Sequence, residues 1–403
     1  MKTRKVVLLL GSAQTLAWAS SFYLPALLAA PMASELGLSV STVFLAFSVA
    51  LVLSALVGPA CGRFIDRHGG RRLLMGTSLL FAAGLALLGC VQGPWTLFAA
   101  WALIGVAMGA GLYDAAFASL VWLCGHAARG PITGITLIAG FASTVGWPLT
   151  AWMSDAWGWR EACFGWAALH LVLGLPLNAW LPRSKWVEAD PVAQAVPANT
   201  ATASGAAAPA PASAAEVPNA AVPWTPLLLL AFIFATTRFV STGIGAHLPG
   251  LLMAAGATLA AAVAAGTLVG PAQVAGRLLE FGLLRRWHPL LSARLAAAGP
   301  PLGMMALLVF GLPAAAPFAL LHGAGNGIIT IAKGTLPLAM FGAQGYGARQ
   351  GWLVLPAQSL QALAPWLLGL ALESSARAAM WSACAVSVSA LLALLLLRMP
   401  RKD

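Results

Sequence analysis

Asp114, Arg238 and Lys333 each stand alone in a long apolar stretch of the chain. A charge held within hydrocarbon costs roughly 3 kcal/mol or more, so ionisable residues in such places mark functional sites or counter-charged pairs. With Asp114 ionised the three sum to one positive charge. A chamber lined by two cations and one carboxylate suits an anionic or carbonyl-rich ligand. Burial and the neighbouring cations pull on the Asp114 proton in opposite directions, which suits a proton carrier: protonation would free Arg238 or Lys333 to hold the ligand. Uncharged polar residues extend the pattern. His322, Asn326 and Thr330 precede Lys333 at offsets of 4, 4 and 3, and therefore share one helical face with it. Gln14, Trp18 and Ser21 make a similar stripe, as do Arg238, Ser241 and Thr242. These stripes read either as the wall of a wet cavity or as hydrogen-bonding seams between helices. His170 and His247 are weaker relay candidates.

The elements that carry these residues follow from composition. Of the 403 residues 60% are hydrophobic and 8% are charged, against roughly 25% charged in soluble domains, so the solvent is lipid. The net charge of +11 does not point to nucleic acid, because the basic residues sit in short clusters between apolar runs and not in one patch beside polar surface. Cys61, Cys90, Cys124, Cys163 and Cys384 are odd in number, lack a CxxC pair and fall mostly in apolar runs, as small buried hydrophobes do. No P-loop, HExxH or GxSxG occurs, so no cofactor, metal or enzymatic activity is expected. Gly105-xxx-Gly109 and Gly323-x-Gly325-x-Gly327 lie within apolar helices, where small residues let backbones approach.

A spanning helix needs about 20 apolar residues. Runs bounded by charges and Gly/Pro turns give twelve spans at roughly 6–30, 41–61, 73–92, 95–120, 131–154, 161–182, 225–249, 259–280, 292–312, 316–341, 351–372 and 378–398. The first is too long for a signal-peptide core and is expected to stay as a helix. The stretch from Arg183 to Pro223 is rich in Ala, Pro, Ser and Thr without hydrophobic period, the composition of a flexible linker. It divides the chain into an amino-terminal six-helix bundle, 1–182, and a carboxy-terminal one, 224–403. Only Arg160 and Arg377 fall in one set of loops and Arg238 and Lys333 within spans. The other 18 of the 22 Lys and Arg lie at the opposite set of loops and the termini. Basic loops stay in the cytoplasm, which puts both termini and the linker inside, in a multi-pass inner-membrane protein.

Between spans two and three the sequence reads Gly62-Arg-Phe-Ile-Asp66-Arg67-His-Gly-Gly70-Arg71-Arg72. This loop resembles the signature of the major facilitator superfamily, approximately G-x-x-x-D-R-x-G-R-R, with Gly62, Asp66, Arg67, Gly70, Arg71 and Arg72 matching if one extra residue is allowed. A degraded copy, Gly276-Arg277-Leu-Leu-Glu280 followed by Arg285 and Arg286, falls between spans eight and nine. Two related halves are what the superfamily's all-α, twelve-helix fold implies. Asp155-Ala-Trp-Gly-Trp-Arg160 also resembles a pattern of prokaryotic members, and Asp155 and Arg160 could pair there.

The resemblance implies that spans one, four, seven and ten line a central cavity, and three of the four carry the intramembrane charges. It implies a cytoplasmic latch made by the Asp66 loop. It further implies a secondary active transporter, working as a monomer on a small solute with proton coupling. Gly146-Trp147-Pro148-Leu149-Thr150-Ala151 departs from the Gly-Pro-x-x-Gly-Gly element of drug–proton antiporters, which moves the expectation from multidrug export toward an organic anion, with efflux of drugs or of toxic compounds such as arsenicals as the alternative. A membrane-embedded enzyme or a sensor without transport are the alternatives of another class.

Overall fold

The computed structural model describes residues 3–124, 128–184, 224–284, 289–341 and 346–397, and these are helical almost throughout. In lipid every backbone N–H and C=O must be satisfied within its own segment, which leaves helices as the economical solution for apolar runs of this length. The first six crossings are α1 (Thr3–Leu36), α2 (Val40–His68), α3 (Gly70–Gly89), α4 (Pro94–Cys124), α5 (Gly130–Trp157) and α6 (Trp159–Ala179). After the linker come α7 (Trp224–Ala254), α8 (Leu259–Glu280), α9 (Pro289–Phe310) and α10 (Leu312–Lys333), the last continuing as helix to Phe341. Then follow α11 (Tyr346–Ser374) and α12 (Ala376–Leu396). Eleven of these are long and apolar enough to cross a membrane among the described residues. The twelfth, α11, has 29 residues, about 44 Å at 1.5 Å per residue, and carries Gln358, Gln361 and Glu373 among its apolar residues. The Pro-rich boundary between the ninth and tenth crossings is a turn at Gly311 (φ 65°) followed by a 3-10 segment, Leu312–Ala314. Residues 185–223 and the pair Arg285–Arg286 lie outside the described residues.

Glycines set the closest helix crossings. A Cβ on Gly105 would stand 2.5 Å from the Ala50 carbonyl oxygen, and one on Gly109 equally close to that of Ser54, so α4 lies backbone to backbone on α2. The second bundle repeats the device: Gly323 and Gly327 of α10 meet the Val269 and Gln273 carbonyls of α8, while Gly276 of α8 meets Ala324. Small residues give helices in lipid their packing contacts, since no hydrophobic force separates them from acyl chains.

Besides α5, which breaks between Ala139 and Ala142, two helices of the first bundle break at their middles. α1 stops at Ser20 and restarts at Pro25. α4 stops at Gly111 and restarts at Tyr113, and the Gly111 carbonyl freed by this break accepts the Gln14 side-chain amide at 2.7 Å. Both breaks border the space between the bundles.

If backbone approach at these glycines holds the bundles, Gly105→Ala and Gly327→Ala should each cost about 1–3 kcal/mol, the range for overpacking a tight contact. Gly58→Ala, whose Cβ would meet open space, should be neutral. Thermal melts of the detergent-purified protein measure all three.

Candidate functional site

The break in α4 puts Asp114 in the first turn of its second segment, where the helix dipole favours a carboxylate. Asp114 is solvent-exposed although it lies midway along a span, and it makes no hydrogen bond or ion pair among the described residues. Its charge acts on Arg238 of α7, and that of Arg238 acts on Lys333 of α10. The carboxylate of the first bundle and the two cations of the second thus form a chain of interacting charges, with Asp114 exposed and Arg238 and Lys333 half-buried. Arg238 is half-buried and donates from Nη1 to Gln361 Oε1 of α11 at 2.6 Å. Gln361 escaped the sequence reading. A lone amide in an apolar helix was the available signal.

The predicted stripes divide. On α10, Thr330 is exposed, with Oγ1 donating to the Asn326 carbonyl at 2.7 Å, and Asn326 and Lys333 are half-buried. His322, one turn away, is buried, with Nδ1 unpartnered among the described residues. It borders a small cavity inside the second bundle together with Ser241, Asn326 and Ser387. On α1, Gln14 and Ser21 are buried. Ser21 Oγ turns back to the Ala17 carbonyl at 2.6 Å. Trp18 remains half-buried, its ring 4.9 Å from Tyr113 and 5.1 Å from Phe22.

The space between the bundles is shut at the end opposite the basic loops. Ser41 N at the start of α2 donates to Glu373 Oε1 at the end of α11 at 2.8 Å. Phe44 packs on His247 with centroids 3.8 Å apart and planes tilted by 44°. Trp147 of α5 donates from Nε1 to the Tyr23 carbonyl at 3.1 Å and packs on Gly266 of α8. Toward the basic loops α2 turns outward: Val52, Ala55, Leu56, Pro59 and Ala60 are exposed, and Gly58 and Gly62 face open space.

Major Facilitator Superfamily sequences match residues 10–332 of the chain. The chain belongs to this superfamily. Among solved structures, the nucleoside transporter NupG is similar with a TM-score of 0.73 at 13% identity, over 98% of this chain and 100% of that one. A D-xylose-proton symporter gives 0.71 at 14%, over 98% and 96%. An inward-facing, occupied bacterial homolog of the human lysosomal transporter Spinster gives 0.66 at 14%, over 97% and 94%.

The superfamily loop is built differently from its copy. Gly62 sits inside α2 and makes no turn. Gly69 makes it, with φ 77°, and a Cβ there would meet the Trp122 ring at 2.9 Å. Arg71 donates from Nε to the Ala179 carbonyl at the end of α6 at 2.8 Å, while Asp66, Arg67 and Arg72 are exposed and Gly70 is buried. In the second half the described residues aligned with the loop, Gly276, Arg277 and Glu280, lie within α8. Gly276 is a crossing glycine, Glu280 is buried beside Ser292 with Oε2 unpartnered, and Arg277 reaches back to the first bundle. The second-half counterpart of Arg71 is Arg294, whose Nε and Nη2 bond the Leu394 and Leu397 carbonyls ending α12 at 3.0 and 3.1 Å. At the outer end Arg160 pairs with Glu35 at 2.8 Å and not with Asp155, because Trp159 donates to the same carboxylate and Arg160 Nη1 is held by the Gly89 carbonyl.

The Glu373 contact on the α2 amino terminus ties the bundles together at the closed end. Glu373→Gln should loosen that end. In a cysteine-free background, Ala26→Cys should react several-fold faster with a membrane-impermeant maleimide when Glu373→Gln is also present, and equal rates would remove the contact from the gate.

Proposed function

We propose that this superfamily transporter carries a small organic anion, in symport or exchange with protons, by alternating access of its two bundles across the inner membrane. On this reading both termini and the 183–223 linker face the cytoplasm, the unit is a monomer, and bundles 1–182 and 224–403 rock about the Asp114–Arg238–Lys333 site. The observation that supports it most is that an exposed carboxylate of the first bundle and two half-buried cations of the second act on one another's charge.

Physical chemistry supplies the cycle. An unmatched positive charge in a low-dielectric chamber attracts an anion more strongly than in bulk water. While Asp114 is ionised it competes with the anion for Arg238. Protonation removes the competitor, so proton and anion favour each other's binding, which is the thermodynamic content of coupling. Gln361, bonded to Arg238, keeps the guanidinium directed along its helix pair whether or not the anion is present. Asn326 and Thr330, on the face of α10 that carries Lys333, supply neutral polar groups for the uncharged part of the solute. Closure of the Glu373 end in this conformation supports release or uptake on the opposite, cytoplasmic side.

Proteoliposomes test the reading. Asp114→Asn should abolish pH-gradient-driven accumulation while counterflow of preloaded solute persists. Accumulation that survives the change rules Asp114 out as the coupling group. Arg238→Ala and Lys333→Ala should each weaken anion binding by at least tenfold, read by thermal shift or calorimetry. Unaltered binding in both would refute the charge argument.

A further inference from the structure

Arg277 is the residue that neither the loop motif nor the central charge triad absorbs. From α8 of the second bundle it donates by Nη1 to the Thr136 carbonyl of α5 in the first, at 2.5 Å. Its guanidinium also lies beside the Tyr113 hydroxyl of α4, one residue from Asp114. Its Nε–H is buried and has no acceptor among the described residues. On the other side of Tyr113 stands Trp18, 4.9 Å between ring centroids, whose Nε1–H is likewise buried without an acceptor. Tyr113 in turn stacks on Phe117, with centroids 5.2 Å apart and planes 13° from parallel. Trp18, Tyr113 and Phe117 are all half-exposed, on the wall from which Asp114 projects.

Buried donors without acceptors are rare, and each calls for an explanation. Here two of them, one on each bundle, flank the same aromatic group. We propose that Arg277 and Trp18 are substrate-anchoring donors and that the anion they take is a planar aromatic carboxylate, its ring packed on the Trp18–Tyr113–Phe117 face. This rests on the anion reading of the site and narrows its substrate class. Aromatic rings gain from offset or edge-on contact beyond simple area burial, which gives a flat ring an advantage over a saturated one of equal size. A carboxylate outbids a neutral carbonyl for a guanidinium because the hydrogen bond is charge-assisted. Substrate arriving at Arg277 would therefore displace the Thr136 carbonyl and release a tie between the bundles. A ligand with that differential effect shifts the balance between the two conformations, as one that bound both equally could not.

The test uses the full-length protein in nanodiscs and three probes: benzoate, cyclohexanecarboxylate and benzamide, with binding read by calorimetry and by quenching of Trp fluorescence. Benzoate is expected to bind at least tenfold more tightly than either of the others. Arg277→Gln should lower benzoate affinity at least tenfold, with Arg277→Lys intermediate, since it keeps the charge and loses the fork. Trp18→Leu should erase the preference for benzoate over cyclohexanecarboxylate. Melting curves check that each variant folds, and Arg277→Lys carries the argument if Arg277→Gln does not. Equal affinity for benzoate and cyclohexanecarboxylate, or benzoate binding unchanged in the Arg277 variants, overturns the proposal while leaving the anion reading intact. Tighter binding of benzamide than of either carboxylate overturns both.

Discussion

A charge in hydrocarbon must find water or a counter-charge, and this constraint organises the molecule. Ten of the eleven acidic residues and most of the basic ones sit at span ends or in loops, where headgroups and solvent accept them. Those that do not are gathered toward the gap between the bundles: Asp114 exposed there, Arg238 braced by Gln361, Lys333 half-buried on α10, and Arg277 stretched between α8 and α5. Keeping these groups wet requires helices that part on one side and meet on the other. The glycine crossings of α2 on α4 and α8 on α10 make this feasible, because each gives its bundle close backbone contacts of its own.

Much of this is legible in the sequence for a simple reason. Hydropathy fixes span positions because lipid imposes one length on every crossing, so the expected 41–61 and 259–280 fall within or on Val40–His68 and Leu259–Glu280. The glycine runs in α4 and α10 announced close backbone approach, since a small residue repeated on one helix face has few other uses in lipid. The three isolated charges were conspicuous because nothing near them in the chain could solvate them.

What the sequence did not reveal depends on direction and distance between helices. Arg277 and Glu280 aligned with a loop motif, yet both lie in α8, where one residue's rotation decides whether a side chain meets a loop, a neighbouring helix or the other bundle. Gly62 matched the motif and makes no turn, whereas its neighbour Gly69 makes it. Arg160 found Glu35, 125 residues away, in preference to Asp155 on its own loop. Gln361 became visible only when α11 was laid against α7.

The closed end rests on an exposed carboxylate meeting a helix amino terminus, a buried pair of tilted rings and one indole hydrogen bond. Exposed electrostatic contacts are weak and screened by salt. A seam of this kind excludes solute without locking the molecule, so thermal motion can part it many times each second. A machine that must visit two shapes in every cycle needs neither to be deep, and the modest chemistry at Glu373 keeps their energies close.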